Sequence, residues 1–168
     1  MGPSRTAAIL LSALVLMPTG TLANECLQKH ALYGDADGQF ELRFREAAEP
    51  TAVTSNEFDL VATASGVKMN GIVMWNQGFS RPQGILMLNC PEGDVTGAEL
   101  EACTLWQGIV YALKPGADAD LLPADDKPAA PALLLADIGR ALHYSDLRTK
   151  GQIKHAPWDV FQFKSCQK

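Results

Sequence analysis

Asp35-Ala36-Asp37-Gly38 sets two carboxylates and a glycine side by side, the opening of a calcium loop. An EF-hand continues with oxygen ligands at alternate positions and a bidentate Glu at the twelfth. Here Gln39 fills the third ligand position, so the stretch reads as a turn between strands. The three histidines, His30, His143 and His155, fall in three different predicted elements, and no spacing ties any of them to a nucleophile. His143, beside Tyr144 near a predicted helix end, reads as a polar-face residue or a partner of the helix dipole. There is no G-x-S-x-G elbow and no phosphate-binding glycine loop. Aspartates and glutamates are too numerous for spacing to single out an acid–base pair. The expectation is a protein that binds rather than catalyses, with no cofactor and no metal.

The four cysteines, Cys26, Cys90, Cys103 and Cys166, contain no C-x-x-C and have no histidine at zinc-ligand spacing. They read as two disulfides. Three pairings are open. Cys90 and Cys103 flank a short turn-rich segment while Cys26 and Cys166 stand near the two ends, which favours 90–103 with 26–166. Side chains of binding hot-spot type gather in the loop from Trp75 to Gly84, where Trp75, Phe79 and Arg81 are the candidates. The Ser65-Gly66-Val67-Lys68 turn is a second exposed candidate, with Ser65 and Lys68 as its functional groups.

Paired cysteines imply export, and the N-terminus agrees. Arg5 precedes an apolar run from Ala7 to Met17, and the small-residue end Thr21-Leu22-Ala23 follows, the order of a cleavable secretory signal. The run is about half the ~20 residues that a spanning helix needs. The residues before Cys26, Ala23-Asn24-Glu25, are not those of a lipid-attachment site. Cleavage after Ala23 would leave residues 24–168 as a single domain. Fourteen basic residues less Arg5, against nineteen acidic ones, give that domain a net charge of −6. Such a balance disfavours nucleic acid and anionic membranes as partners.

The elements that must position these residues are mostly strands. Phe40 to Arg45 alternates apolar and polar with Phe40, Leu42 and Phe44 on one face. Phe58 to Ala62, Val67 to Trp75, Ile85 to Cys90 and Trp106 to Leu113 continue a meander, with Gly71 marking a bulge or a close backbone approach. Thr96 and Glu99 form a capping-box pattern at the start of a short helix running to Cys103. Residues 114–131 are rich in proline and aspartate and predict a solvated loop. From Ala132, the spacing of Leu134, Ile138, Ala141 and Leu142 predicts an amphipathic helix. Phe161 and Phe163 belong to a last strand that a Cys26–Cys166 bridge would tie to the start of the chain. The fold class expected is mainly β (α+β): a curved antiparallel sheet or small barrel with one amphipathic helix near the C-terminus.

With Ser65-Gly66-Val67-Lys68 inside such a meander, in a small exported domain with disulfides, residues 38–90 resemble the bacterial c-type lysozyme inhibitor family of membrane-bound and periplasmic type. The resemblance implies a short eight-stranded antiparallel barrel whose Ser-Gly-x-x-Tyr turn enters the lysozyme cleft. Ser65 and Gly66 match the motif, Lys68 suits a contact with lysozyme carboxylates, and Met69 replaces the family's Tyr. Trp75-Asn76-Gln77-Gly78 only partly matches a second motif of the family, and the C-terminal helix and strand have no counterpart in it. The expected setting is the periplasm of a Gram-negative cell. The expected partner is a protein, a lysozyme or another envelope component, with no nucleic acid and no stable membrane anchor.

Overall fold

The computed structural model describes residues 25–47, 54–75 and 81–167. The export signal expected at residues 1–23, and Phe79 with its neighbours at 76–80, lie outside them. After a 3-10 turn at Gln28–His30 come β1 (Ala31–Asp35), β2 (Phe40–Arg45), β3 (Thr54–Ala62), β4 (Lys68–Trp75) and β5 (Pro82–Met87). Helix α1 (Gly97–Cys103), β6 (Thr104–Leu113), β7 (Asp120–Leu121) and β8 (Ala132–Leu135) follow, then α2 (Ile138–His143), α3 (Asp146–Thr149) and β9 (Val160–Cys166). Every strand pairing is antiparallel. The order β1-β2-β3-β4-β5-β6-β8-β9 returns to β1, so eight strands close a barrel and β7 is an extra strand on β6. Closure leaves none of the eight without a partner on either side, which removes the open edges of a flat sheet.

The period-two pattern decides what fills the barrel. Phe40, Leu42 and Phe44 point inward from β2, and Phe58 and Leu60 do so from the facing register of β3. Tyr33 meets Phe44 edge-to-face at 5.7 Å and Phe163 at 5.8 Å, and its hydroxyl donates to Gln28 Oε1 at 2.9 Å. Gly71 is the close approach its position in β4 suggests: a Cβ there would overlap the ring of Phe58. Both predicted disulfides are present. Cys26–Cys166 lies where β9 meets β1, and Cys90–Cys103 ties the β5–β6 connection to the end of α1. Thr96 caps α1 with both halves of the capping box made.

Four expectations need correction. Ala132–Leu135 is strand, not helix, because Leu133 and Leu135 fill the barrel on its period of two. The single amphipathic helix is therefore two short ones, α2 and α3, which bury Ile138, Leu142 and Leu147. The segment after Cys26, read only as leading into a turn, holds strand β1, and the fourth strand stops at Met87, before Cys90. The 114–131 segment is not simply solvated. Leu122, Ala129 and Ala130 are buried, and the Gln28 amide donates to Lys127 O at 2.8 Å while Ala129 N donates to Cys26 O at 2.7 Å. Asn56, fully buried, donates to Pro123 O at 3.1 Å and to Asp125 Oδ1 at 2.7 Å. The proline-rich chain thus closes one end of the barrel with backbone groups that find partners there.

Candidate functional site

Alternating strand directions sort the connections onto two ends. The turn between β3 and β4 pairs with the β1–β2 turn, the α1 connection and residues 136–159, because Phe40 faces Ala62, Met87 faces Asn70 and Asp35 faces Phe161. The opposite end carries the β4–β5 loop, the 114–131 segment and the Cys26–Cys166 bridge. The two groups of candidate binding residues are therefore not one surface. Ser65 and Lys68 flank one end of β4, and Trp75 and Arg81 lie at the other. Eight strand residues hold them apart by about 25 Å.

Ser65 is exposed, and its Oγ accepts from the Val67 amide at 3.4 Å. Gly66 takes φ +72°, and its amide donates to Ala62 O at 2.8 Å, so the turn is built on a glycine in the left-handed region. Lys68 points to the outer wall, where its ammonium pairs with Asp59 at 2.8 Å. Arg45 and Asn70 bind the same carboxylate, and Asp59 is nearly buried beneath these three side chains. Met69 faces into the barrel and is wholly buried. At the other end Trp75 is half-buried, and Arg81 is exposed with its guanidinium donating to the Tyr111 hydroxyl at 3.0 Å.

Across from the Ser65 turn stand residues that sequence reasoning did not single out for function. Ser65, Ala62 and Phe40 face Ile153, Lys154 and His155 around a pocket of about 180 Å³. Beyond it Lys154 and His155 also border a groove of about 340 Å³ with His143, Arg148 and Trp158. Two of the three histidines thus converge, while His30 lies at the other end. Neither His143 nor His155 is hydrogen-bonded through its ring to a carboxylate or hydroxyl among the described residues; His143 stacks edge-on against Tyr144 at 4.8 Å. Asp37 accepts from the Trp158 indole at 2.8 Å, whereas Asp35 turns inward and accepts from the Phe40 amide at 3.0 Å. The paired carboxylates of the first turn are spent on different partners, and no group of His, Cys, Asp and Glu side chains among the described residues is arranged to hold a metal ion.

No protein-family model, no curated protein and no solved structure matches this chain. The functional evidence is the geometry itself. Two disulfides are the chemistry of an oxidising compartment, and no helix among the described residues is long and apolar enough to cross a membrane. The barrel's interior is filled by its own aromatic and aliphatic side chains. Segments with buried residues cross both ends: 122–130 at one, α2, α3 and Ile153 at the other. Ligand chemistry therefore belongs to the outer surface and the rims.

The basic character of 138–158 was legible. Arg140, Arg148, Lys150 and Lys154 against Asp146 give it a local charge of +3 in a chain of −5. That contrast was the available signal. Nothing in the sequence linked Trp158 to Asp37, 121 residues earlier.

Proposed function

We propose that the protein is an exported, non-catalytic binding protein of the Gram-negative periplasm, which docks a partner protein on the barrel end bearing Ser65, and that a c-type lysozyme is this partner. The observation that carries the reading is the Ser65-Gly66 turn, exposed at the end of a closed eight-strand barrel, the architecture implied by the inhibitor resemblance. A rigid hairpin tip loses little freedom on docking, because the barrel has already ordered it. Lys68 is committed to Asp59, and Met69 to the core. Recognition by the turn accordingly rests on the Ser65 hydroxyl and the backbone beside it.

The test is lysis of a cell-wall suspension by a c-type lysozyme with the protein in micromolar excess. Inhibition that Ser65→Trp removes, at unchanged melting temperature, is the expected result. Undiminished lysis in the presence of the wild-type chain rejects the lysozyme reading. The alternative surface is the opposite end, where Arg81 is held against Tyr111. Loss of envelope partners on Arg81→Ala, with none lost on Ser65→Trp, would move the docking site there.

A further inference from the structure

Among the described residues, the cations outside salt bridges gather near Trp158, apart from Arg81 at the other end. Among the described residues every lysine but Lys154 sits in a salt bridge, and the arginines outside one are Arg81, Arg140 and Arg148. Arg148 donates to the Lys154 carbonyl, which fixes its guanidinium beside the groove. Lys154, Arg148, His143 and His155 line the groove of about 340 Å³ beside Trp158. Arg140 lines a second, of about 480 Å³, which Trp158 also borders.

Trp158 borders both grooves. The residue is 61% exposed, an unusual placement for the largest apolar side chain, and its N–H is tied to Asp37 Oδ2 at 2.8 Å. The bond leaves the ring faces open while setting their direction. Of the nearby carboxylates, Asp159 and Asp146 are held by partners, while Asp137 is exposed with no side-chain cap on α2. Asp159 accepts from the amides of Asp137 at 3.0 Å and Gly139 at 2.8 Å, and Asp146 pairs with Lys150 at 2.8 Å. A Cβ on Gly139 would strike the Pro157 carbonyl, so the start of α2 is pressed against the segment that carries Trp158. The platform is held from three directions.

We propose that this face binds an anionic carbohydrate chain, with a sugar ring stacked on Trp158 and carboxylate or phosphate substituents on Arg140, Arg148 and Lys154. An exposed aromatic ring shared by two grooves that each hold cations fits a chain whose apolar ring faces alternate with charged groups. A single small anion would use one groove only. An acidic peptide is the competing occupant of an Arg-bearing face, and β8 and β9 beside the site, both paired on each side, give it no strand edge to extend. The site adjoins the Ser65 pocket, with which it shares Lys154 and His155, but does not rest on the lysozyme reading.

Titration calorimetry of the mature chain with oligogalacturonate and with a phosphorylated oligomannose tests the two carriers of charge, with maltohexaose as the neutral control. Binding of either anionic probe and not of maltohexaose is expected. Trp158→Ala and Arg140→Gln with Lys154→Gln should each weaken it at least about tenfold, and Trp158→Phe, which keeps a ring, should weaken it less than Trp158→Ala. Lys154 makes no hydrogen bond or ion pair through its ammonium among the described residues, so its replacement leaves the fold intact. Absence of binding to both anionic saccharides at millimolar concentration overturns the proposal. So does equal affinity for polyglutamate or oligothymidylate with no effect of Trp158→Ala, which would reduce the face to a charged patch. Ser65→Ala, which adds no bulk opposite Lys154, should leave saccharide binding unchanged.

Discussion

Replacing both cysteines of one bridge by alanine separates what each disulfide does. Cys26–Cys166 joins residues 140 apart, and Cys90–Cys103 joins residues 13 apart. If a cross-link acts by restricting the unfolded chain, its contribution grows with the logarithm of the loop it closes. That gives about 5 kcal/mol for the long bridge and about 3 kcal/mol for the short one. Local losses nearly cancel between the two variants, because each bridge has one buried sulfur, on Cys26 or Cys103, and one more accessible partner. The β1–β9 ladder is intact in either case, since it is made by backbone pairs from Ala31↔Cys166 to Asp35↔Phe161. At about 2–4 °C per kcal/mol for a domain of this size, Cys26→Ala/Cys166→Ala should lower the melting temperature by about 10–20 °C. Cys90→Ala/Cys103→Ala should lower it by about 6–12 °C. Thermal unfolding followed by circular dichroism, with urea titration as a check on the slope, reads both. Equal losses, or a larger loss from the short bridge, would refute the chain-entropy reasoning and place the stabilisation in the folded seam.

Two further perturbations follow from packing and charge. Gly71→Ala should cost about 1–3 kcal/mol by overpacking against Phe58. Phe58→Leu in the same chain should recover part of that loss, and additive effects in the double-mutant cycle would show that the two sites do not touch. Burial raises the Asp125 carboxyl above its ordinary value, against the opposing hydrogen bond from Asn56. A raised carboxyl binds its proton more tightly when folded, so the charged form is a cost at neutral pH that disappears as pH falls through the folded-state value. Asp125→Asn, which can still accept from Asn56, should melt higher than wild type at pH 7, and the gap should narrow on acidification; a gap that widens would contradict the sign.

Much of the scaffold was legible because it rests on local periodicity. Phe40-Glu41-Leu42-Arg43-Phe44 can face a core only as a strand, and the structure makes it one. The same logic misled at Ala132, where Leu133-Leu134-Leu135 offers apolar side chains to either period. The choice fell to strand because β6 and β9 leave a gap that only a strand can close. Lys68 illustrates the other difficulty: its type suited a binding turn, but cross-strand neighbours claimed its charge.

By itself the sequence determined the strand meander, the capped helix before Cys103, an even set of four cysteines whose separations favour a clasp and a tie among three open pairings, and the acidic balance of the chain. All follow from near neighbours, composition or spacing, which need no fold to be read. Only the tertiary structure decided that the meander closes, that Ser65 and Trp75 occupy opposite ends, and that Asp37 orients Trp158 among the unpaired cations of residues 140–154. Those facts depend on which distant segments meet when eight strands are wound into a ring. Local pattern sets the face of each strand, but closure sets its neighbours across the rim.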